Sequence, residues 1–180
     1  MRIISGKKKG LNLFSPYDYK VRPTTDKVKE SIFNSLNEIN ENSVVLDLFS
    51  GSGAMGIEFL SRGAKLVYFC DFSKKSLEIT LKNLEKSSFL DNSVILNMDY
   101  LDALKYFFEK KIKFDYVFLD PPYDGEFSFR SLDFIFSNDI LNSNGIIILE
   151  TDKDIDVKNF NVIKEKKYGR TKVLFLERNF

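Results

Sequence analysis

The sequence predicts an α/β protein: a doubly wound, mostly parallel sheet of seven strands, with an antiparallel C-terminal hairpin at one edge and a small basic β-hairpin arm before it. Three observations lead there. From Val44 to Leu149, short apolar runs alternate with segments of helical period, the pattern of successive β-α-β units. The last two extended runs, Phe160 to Tyr168 and Thr171 to Arg178, are separated only by Gly169-Arg170, too few residues for a parallel crossover. Finally, Asp47, Asp71, Asp99 and Asp120 each stand at or just after the end of a strand, where open α/β sheets bind ligands.

In chain order, Arg2 to Ser5 and Leu11 to Phe14 read as two short strands around the turn Gly6-Lys7-Lys8-Lys9-Gly10, an arm standing apart from the core. Ser15 to Arg22 has no strong period. Pro23, Thr24 and Thr25 start a helix that places Val28, Ile32, Phe33, Leu36 and Ile39 on one face, and the Asn-rich stretch from Asn37 to Ser43 ends it. Val44 to Leu48 is a strand, Ala54 to Arg62 a helix stopped by Gly63, and Leu66 to Cys70 the second strand. Ser73 caps a helix with Leu77, Leu81 and Leu84 on one face. Val94 to Met98 is extended, Leu101 to Lys110 helical, Phe114 to Leu119 extended and Ser128 to Ser137 helical. The Asn144-Gly145 turn introduces the strand Ile146 to Leu149. With 180 residues and no internal repeat or linker, one domain is expected, residues 1–22 as the basic extension and 23–180 as the core.

Composition excludes several chemistries. The chain has no histidine, which removes Ser-His-Asp hydrolysis and most zinc sites, so no metal is expected. Its one cysteine, Cys70, ends an apolar run and reads as a buried thiol. No apolar run approaches the roughly 18 residues that span a bilayer and no signal segment precedes the fold, so a cytoplasmic protein without membrane contact is expected. Net charge is only +1, but basic residues crowd the first thirty positions and recur at Lys164, Lys166, Lys167, Arg170 and Lys172. Each cluster alone suits a solvated face; on one face together they suit a polyanion.

The run Phe114 to Leu119 stops at Asp120-Pro121-Pro122-Tyr123. Two prolines fix φ and hold the preceding residues extended. The Asp120 carboxylate and the Pro121 carbonyl can therefore aim at one external point with the Tyr123 ring nearby. Two acceptors and a flat ring suit a planar heterocycle carrying an exocyclic amine. The plainer reading is a proline turn with Tyr123 as packing.

A second signal lies at the first strand-helix junction, Asp47-Leu48-Phe49-Ser50-Gly51-Ser52-Gly53-Ala54-Met55-Gly56, with Asp71 twenty residues after Gly51. The spacing fits a nucleotide-binding turn with a carboxylate for ribose hydroxyls, or glycines used only to turn the chain. Asp47, just before the loop, disfavours a pyrophosphate and suits a cationic group. Asp99 can accept from an adenine amine. An adenosine with a cationic tail and no phosphate is S-adenosylmethionine.

Taken together, Asp47-Leu48-Phe49-Ser50-Gly51-Ser52-Gly53 and Asp120-Pro121-Pro122-Tyr123 resemble the class I, Rossmann-like S-adenosylmethionine-dependent methyltransferases that act on exocyclic amines of bases. With Arg2-Ile3-Ile4-Ser5-Gly6 and the stretch from Arg22-Pro23-Thr24-Thr25 to Ile32-Phe33-Asn34, the chain is similar over essentially its whole length to the RsmD family of bacterial 16S ribosomal RNA guanine-N2 methyltransferases. The resemblance implies that Phe49, Ser50, Gly51 and Gly53 cradle the amino-acid part of the cofactor with Asp47 near its ammonium, that Asp71 holds the ribose, that Phe72 lies against the adenine and that Asp99 takes the adenine amine. It implies Asp120, Pro121, Pro122 and Tyr123 as the catalytic loop, Arg22 and Thr24 closing over the cofactor or guiding RNA, and Lys7, Lys8 and Lys9 on phosphates. The expected partner is ribosomal RNA, alone or in a partly assembled small subunit, and the expected state a monomer. An adenine-N6 or cytosine-N4 methyltransferase would use the same loop; a NAD-dependent oxidoreductase leaves that loop and the basic arm without a purpose, and a non-catalytic RNA-binding module accounts for the arm but not for four strand-end carboxylates around one cleft. Whether Asp120 also removes a proton stays open.

Overall fold

The computed structural model describes residues 1–15, 26–36, 38–122, 125–157 and 159–179. Every run expected to be extended in the core is a strand: β1 (Val44–Asp47), β2 (Leu66–Asp71), β3 (Ser93–Asn97), β4 (Phe114–Leu119), β5 (Leu141–Thr151), β6 (Phe160–Tyr168) and β7 (Thr171–Arg178). They form one seven-stranded sheet in the order β3-β2-β1-β4-β5-β7-β6. Strands β1 to β5 run parallel, and β7 lies antiparallel between β5 and β6. Between them run α1 (Asp26–Phe33), α2 (Ala54–Ser61), α3 (Lys74–Ser87), α4 (Tyr100–Glu109) and α5 (Gly125–Ser137).

The strands carry apolar residues on both faces, as a sheet covered by helices on both sides requires. Val45, Val67, Phe69, Phe118, Ile148, Val173 and Phe175 join Ile32, Phe33, Ile57, Phe59 and Leu84 of α1, α2 and α3 in one core cluster. Their sequence neighbours Leu46, Tyr68, Cys70, Val117, Leu119, Ile147, Leu149, Leu174 and Leu176 join Leu104, Phe107, Leu132 and Ile135 of α4 and α5 in the other. The two-residue period of a strand thus sorts each side chain to one face or the other. Chain order reverses between β1 and β4: from β1 the sheet grows outward through β2 to β3, then restarts on the other side at β4. Such a switch point opens a crevice at the carboxyl ends of the strands.

Four local expectations change. The N-terminal hairpin is real but is not separate from the core. It has a single antiparallel bridge, Arg2 to Asn12, and a 3-10 turn at Gly6–Lys8. Ile3 and Leu13 are buried in the cluster under α1 and α2, because Glu58 and Ser61 of α2 accept its amides of Ile4, Ser5 and Lys8 at 2.8, 3.0 and 3.0 Å. Helix α1 ends at Phe33 although the apolar spacing runs on, and Leu36 and Ile39 remain buried beyond it. In α3, Leu77 and Leu84 are buried while Leu81 is exposed, and the inner face is completed by Thr80, Asn83 and Ser87. Strand β5 begins at Leu141, so Asn144-Gly145 is an irregularity inside the strand where the register with β4 shifts. A side chain at Gly145 would meet Leu141 at 2.6 Å and the Phe114 carbonyl oxygen at 2.9 Å.

Candidate active site

The loop from β1 to α2 is built by two left-handed glycines, Gly51 at φ +54 and Gly53 at φ +76. Gly53 donates its amide to the Ser50 carbonyl at 2.7 Å, closing the turn. Both neighbours brace it. The Ser50 amide donates to the Cys70 carbonyl at 2.9 Å and the Gly51 amide to Asp71 Oδ2 at 2.8 Å, tying the loop to β2. From α3, Thr80 Oγ1 donates to the Gly51 carbonyl at 2.8 Å and Asn83 Nδ2 to the Ser52 carbonyl at 2.9 Å. This is why α3 spends buried positions on polar residues. A Cβ at Gly51 would meet nothing within 4 Å, so that glycine faces open space. At Gly56 a Cβ would lie 2.3 Å from the Phe69 ring, so the third glycine serves the close approach of α2 to β2.

The strand-end carboxylates converge on one cleft of about 1940 Å³, lined by Asp47, Asp71, Asp99, Asp120, Pro121, Pro122, Phe49, Ser50, Gly51 and Phe72 among others. A single small-molecule pocket measures about 300–1,000 Å³. This cleft has room for two guests. Gly53 lies behind the loop, capping α2 against Thr80.

Each carboxylate is held differently. Asp47 is buried; Oδ2 accepts the Gly56 amide at 2.9 Å and Oδ1 has no partner. Burial pushes its carboxyl up to about 7, the Asp71 charge adding to the rise and the Gly56 amide opposing it. Ser50 Oγ is likewise buried and unpartnered. Asp71 accepts from Ser73 as well as Gly51. Asp99 caps α4, its Oδ1 accepting the Leu101 amide at 3.0 Å. Asp120 opens onto the cleft, but the close walls, then the charges of Glu150 and Asp47, hold its carboxyl well above the usual range.

Aromatic rings flank the carboxylates. Phe72 stands 80% exposed after Asp71, an unusual position for such a ring. The half-buried Phe49 packs on Tyr100 and Phe127, with ring centroids 5.5 and 6.5 Å away. Cys70 is the buried thiol expected, pushed up to about 12 by burial. Among the described residues no group of three or more His, Cys, Asp or Glu is placed to hold a metal ion.

Tyr123, Arg22 and Thr24 lie outside the described residues. The turn Lys7-Lys8-Lys9 does not line the cleft. It sits by Ser61 at the far end of α2, about 12 Å of helix from the glycine loop. Of the C-terminal lysines, Lys166 donates to Ser31 Oγ and its carbonyl, Lys172 pairs with Asp154 and Lys167 with Glu165. The basic residues that do reach the cleft are Lys27, Lys75, Lys82, Lys153 and Arg170, all exposed, with Lys29 buried beneath. Sequence reasoning did not single out Glu150 in the cleft, nor the buried contact of Lys29 with Glu58 at 3.4 Å. The signal for the latter was a lone acid in the otherwise apolar helix Ala54–Ser61.

Residues 1–177 match the family model described as Conserved hypothetical protein 95. Ribosomal RNA small subunit methyltransferase D of Haemophilus influenzae is 37% identical over 175 residues, covering 94% of this chain and 89% of that protein. The chain belongs to the RsmD family. YlbH of Bacillus subtilis is 36% identical over 177 residues, 96% of each chain. The crystal structure of a Haemophilus influenzae relative superposes with a TM-score of 0.80 at 32% identity, covering 99% of this chain and 98% of that one. The loop after β1 and the Asp120-Pro121-Pro122 segment, on which the resemblance was read, meet in this RsmD-family chain at the switch point of the sheet.

Proposed function

We propose that the chain transfers the methyl group of S-adenosylmethionine to the exocyclic N2 amine of a guanine in small-subunit ribosomal RNA. The observation that carries this is the meeting, in one cleft at the switch point, of the buried Asp47 and the cleft-facing Asp120-Pro121.

The donor side fits the cofactor's amino-acid end. Asp47 Oδ1 and Ser50 Oγ are buried without partners, which is costly unless a ligand supplies them. An ammonium answers both the open lone pairs and the charge of Asp47 once ionised. Gly51 leaves the space, Asp71 has lone pairs left for ribose hydroxyls, Phe72 offers a face to the adenine, and Asp99 keeps one carboxylate oxygen for its amine. When bound, S-adenosylmethionine supplies an activated methyl group on a sulfonium.

The acceptor side is Asp120 with the Pro121 carbonyl. A guanine amine delocalises its lone pair into the ring, so it is a poor nucleophile. Acceptors for both its N–H groups favour a pyramidal nitrogen and steady the positive charge that grows there. The raised basicity of Asp120 strengthens that effect. Lys27, Lys75, Lys82 and Arg170, exposed at the rim with no ion pair among the described residues, support a phosphate backbone as the outer partner.

The test is transfer of labelled methyl from S-adenosylmethionine to undermodified small-subunit ribosomal RNA and to particles containing it, followed by nucleoside analysis. Label in N2-methylguanosine is expected. Label in N6-methyladenosine or N4-methylcytosine would overturn the substrate and keep the amine chemistry.

A further inference from the structure

Leu119 of β4 pairs with Leu149 of β5. The next residue in each case is a carboxylate, Asp120 just past the end of β4 and Glu150 within β5, and neighbouring strands run about 4.8 Å apart. Two residues back, Phe118 and Ile148 both pack in the core facing α1 to α3. By the period of two, Glu150 turns to that same face; Asp120, held extended by the proline that follows it, leaves β4 toward it, and both line the cleft.

We propose that Glu150 is a positioning residue for the transfer: its charge, held beside Asp120 by the register of β5 on β4, strengthens the negative field in which Asp120 takes the proton that the methylated amine must release. The inference rests on the amine-methyltransferase reading of the site. Two carboxylates this close resist being ionised together, so one of them holds a proton to a higher pH than it would alone. The position of Asp120 above the usual carboxylate range, caused first by its walls and then by Glu150, agrees with that.

Other charged groups on the packed elements line the same cleft. Asp47 comes from β1, Asp152 and Lys153 follow β5, Lys27 and Lys29 come from α1, and Arg170 from the turn between β6 and β7, near Tyr168. Asp47 acts in the same direction as Glu150 but ranks after it. Lys27, Lys153 and Arg170 are exposed and screened by salt.

The proton step balances simply. An N–H bond of the cationic amine breaks, nitrogen keeps the electron pair, and an O–H bond forms on Asp120. The proton then leaves to solvent through the open cleft. Asp120 must be ionised to accept it, so the rate falls as pH falls through the Asp120 pKa.

Removing the neighbouring charge with Glu150→Gln therefore has two opposite signs. It lowers the Asp120 pKa, which moves the acid limb of kcat to lower pH, and it weakens the negative field at the amine, which lowers the plateau by roughly tenfold.

The experiment is carbon-13 NMR titration of the aspartate carboxyls, the Asp120 signal assigned by its loss in Asp120→Asn, beside pH profiles of kcat. In Glu150→Gln the Asp120 midpoint should fall, and in Glu150→Asp it should fall by less. A midpoint and an acid limb that do not move in Glu150→Gln would overturn the proposal. The titration needs no substrate, so it separates the two failures. Absence of transfer by the unmodified protein sinks the amine reading and the role of Glu150 with it; transfer with an unmoved midpoint sinks Glu150 alone.

Discussion

Asp71 Oδ2 accepts the amide of Gly51 at 2.8 Å, so the carboxylate at the end of β2 holds the glycine loop that follows β1. The same group accepts from Ser73 through Oδ1 at 2.7 Å. Asp71 thus shapes the loop and offers its remaining lone pairs to a ligand. Asp71→Ala should weaken S-adenosylmethionine binding by roughly 10- to 100-fold, the worth of one or two hydrogen bonds to a charged group. Calorimetric titration measures it, and an unchanged affinity would remove Asp71 from the site.

Asp47 makes the ligand-free protein sensitive to pH. Its folded pKa, pushed to about 7 by burial, lies above the unfolded value of 3.8. Between about pH 4 and 7 the native state holds a proton that the unfolded chain has released, so stability falls as pH rises through that window. Asp120, also raised, acts with the same sign. Asp47→Asn keeps an acceptor for the Gly56 amide and removes the charge. It should flatten the slope, stabilise the ligand-free protein at pH 8 by on the order of 2–4 kcal/mol, and bind cofactor less tightly. Urea unfolding at several pH values decides; curves that stay parallel to those of the unmodified protein would contradict it.

Glu58 ties three separate parts of the chain together. It is fully buried, accepts the amides of Ile4 and Ser5, pairs with Arg62 at 2.9 Å and neutralises Lys29, whose own pKa burial lowers. Glu58→Gln leaves the buried Lys29 without its counter-charge and should cost about 3–5 kcal/mol. Lys29→Met leaves Glu58 with Arg62 and two amides and should cost clearly less. Equal losses in denaturant unfolding would mean that charge is not what matters here.

Most of the sheet was legible because its strands are short aromatic and aliphatic runs with hard stops: Phe114 to Leu119 was read with the bounds it has, and the closing hairpin followed from two residues of turn. What was not legible depends on contacts distant in sequence. Leu81 fits a helical stripe, but the face of α3 that meets the loop needs the hydrogen bonds of Thr80 and Asn83 more than another leucine. The lysine turn reads as a free basic arm until Glu58 and Ser61 are seen to bind its backbone. In the site, Asp47, Asp71, Asp99 and Asp120 could be found because strand ends can be found. Glu150 could not, since its neighbour Asp120 is set by the register of β4 on β5 across an irregularity.

The account turns on Asp120 as the acceptor for the target amine, and one substitution tests it. Asp120→Asn keeps shape and loses charge, and it should leave S-adenosylmethionine affinity within about threefold while lowering kcat for methyl transfer by about 100-fold or more. Paired calorimetry and single-turnover transfer on the same preparation give both numbers. Turnover close to that of the unmodified protein, with the cofactor bound, would contradict the mechanism.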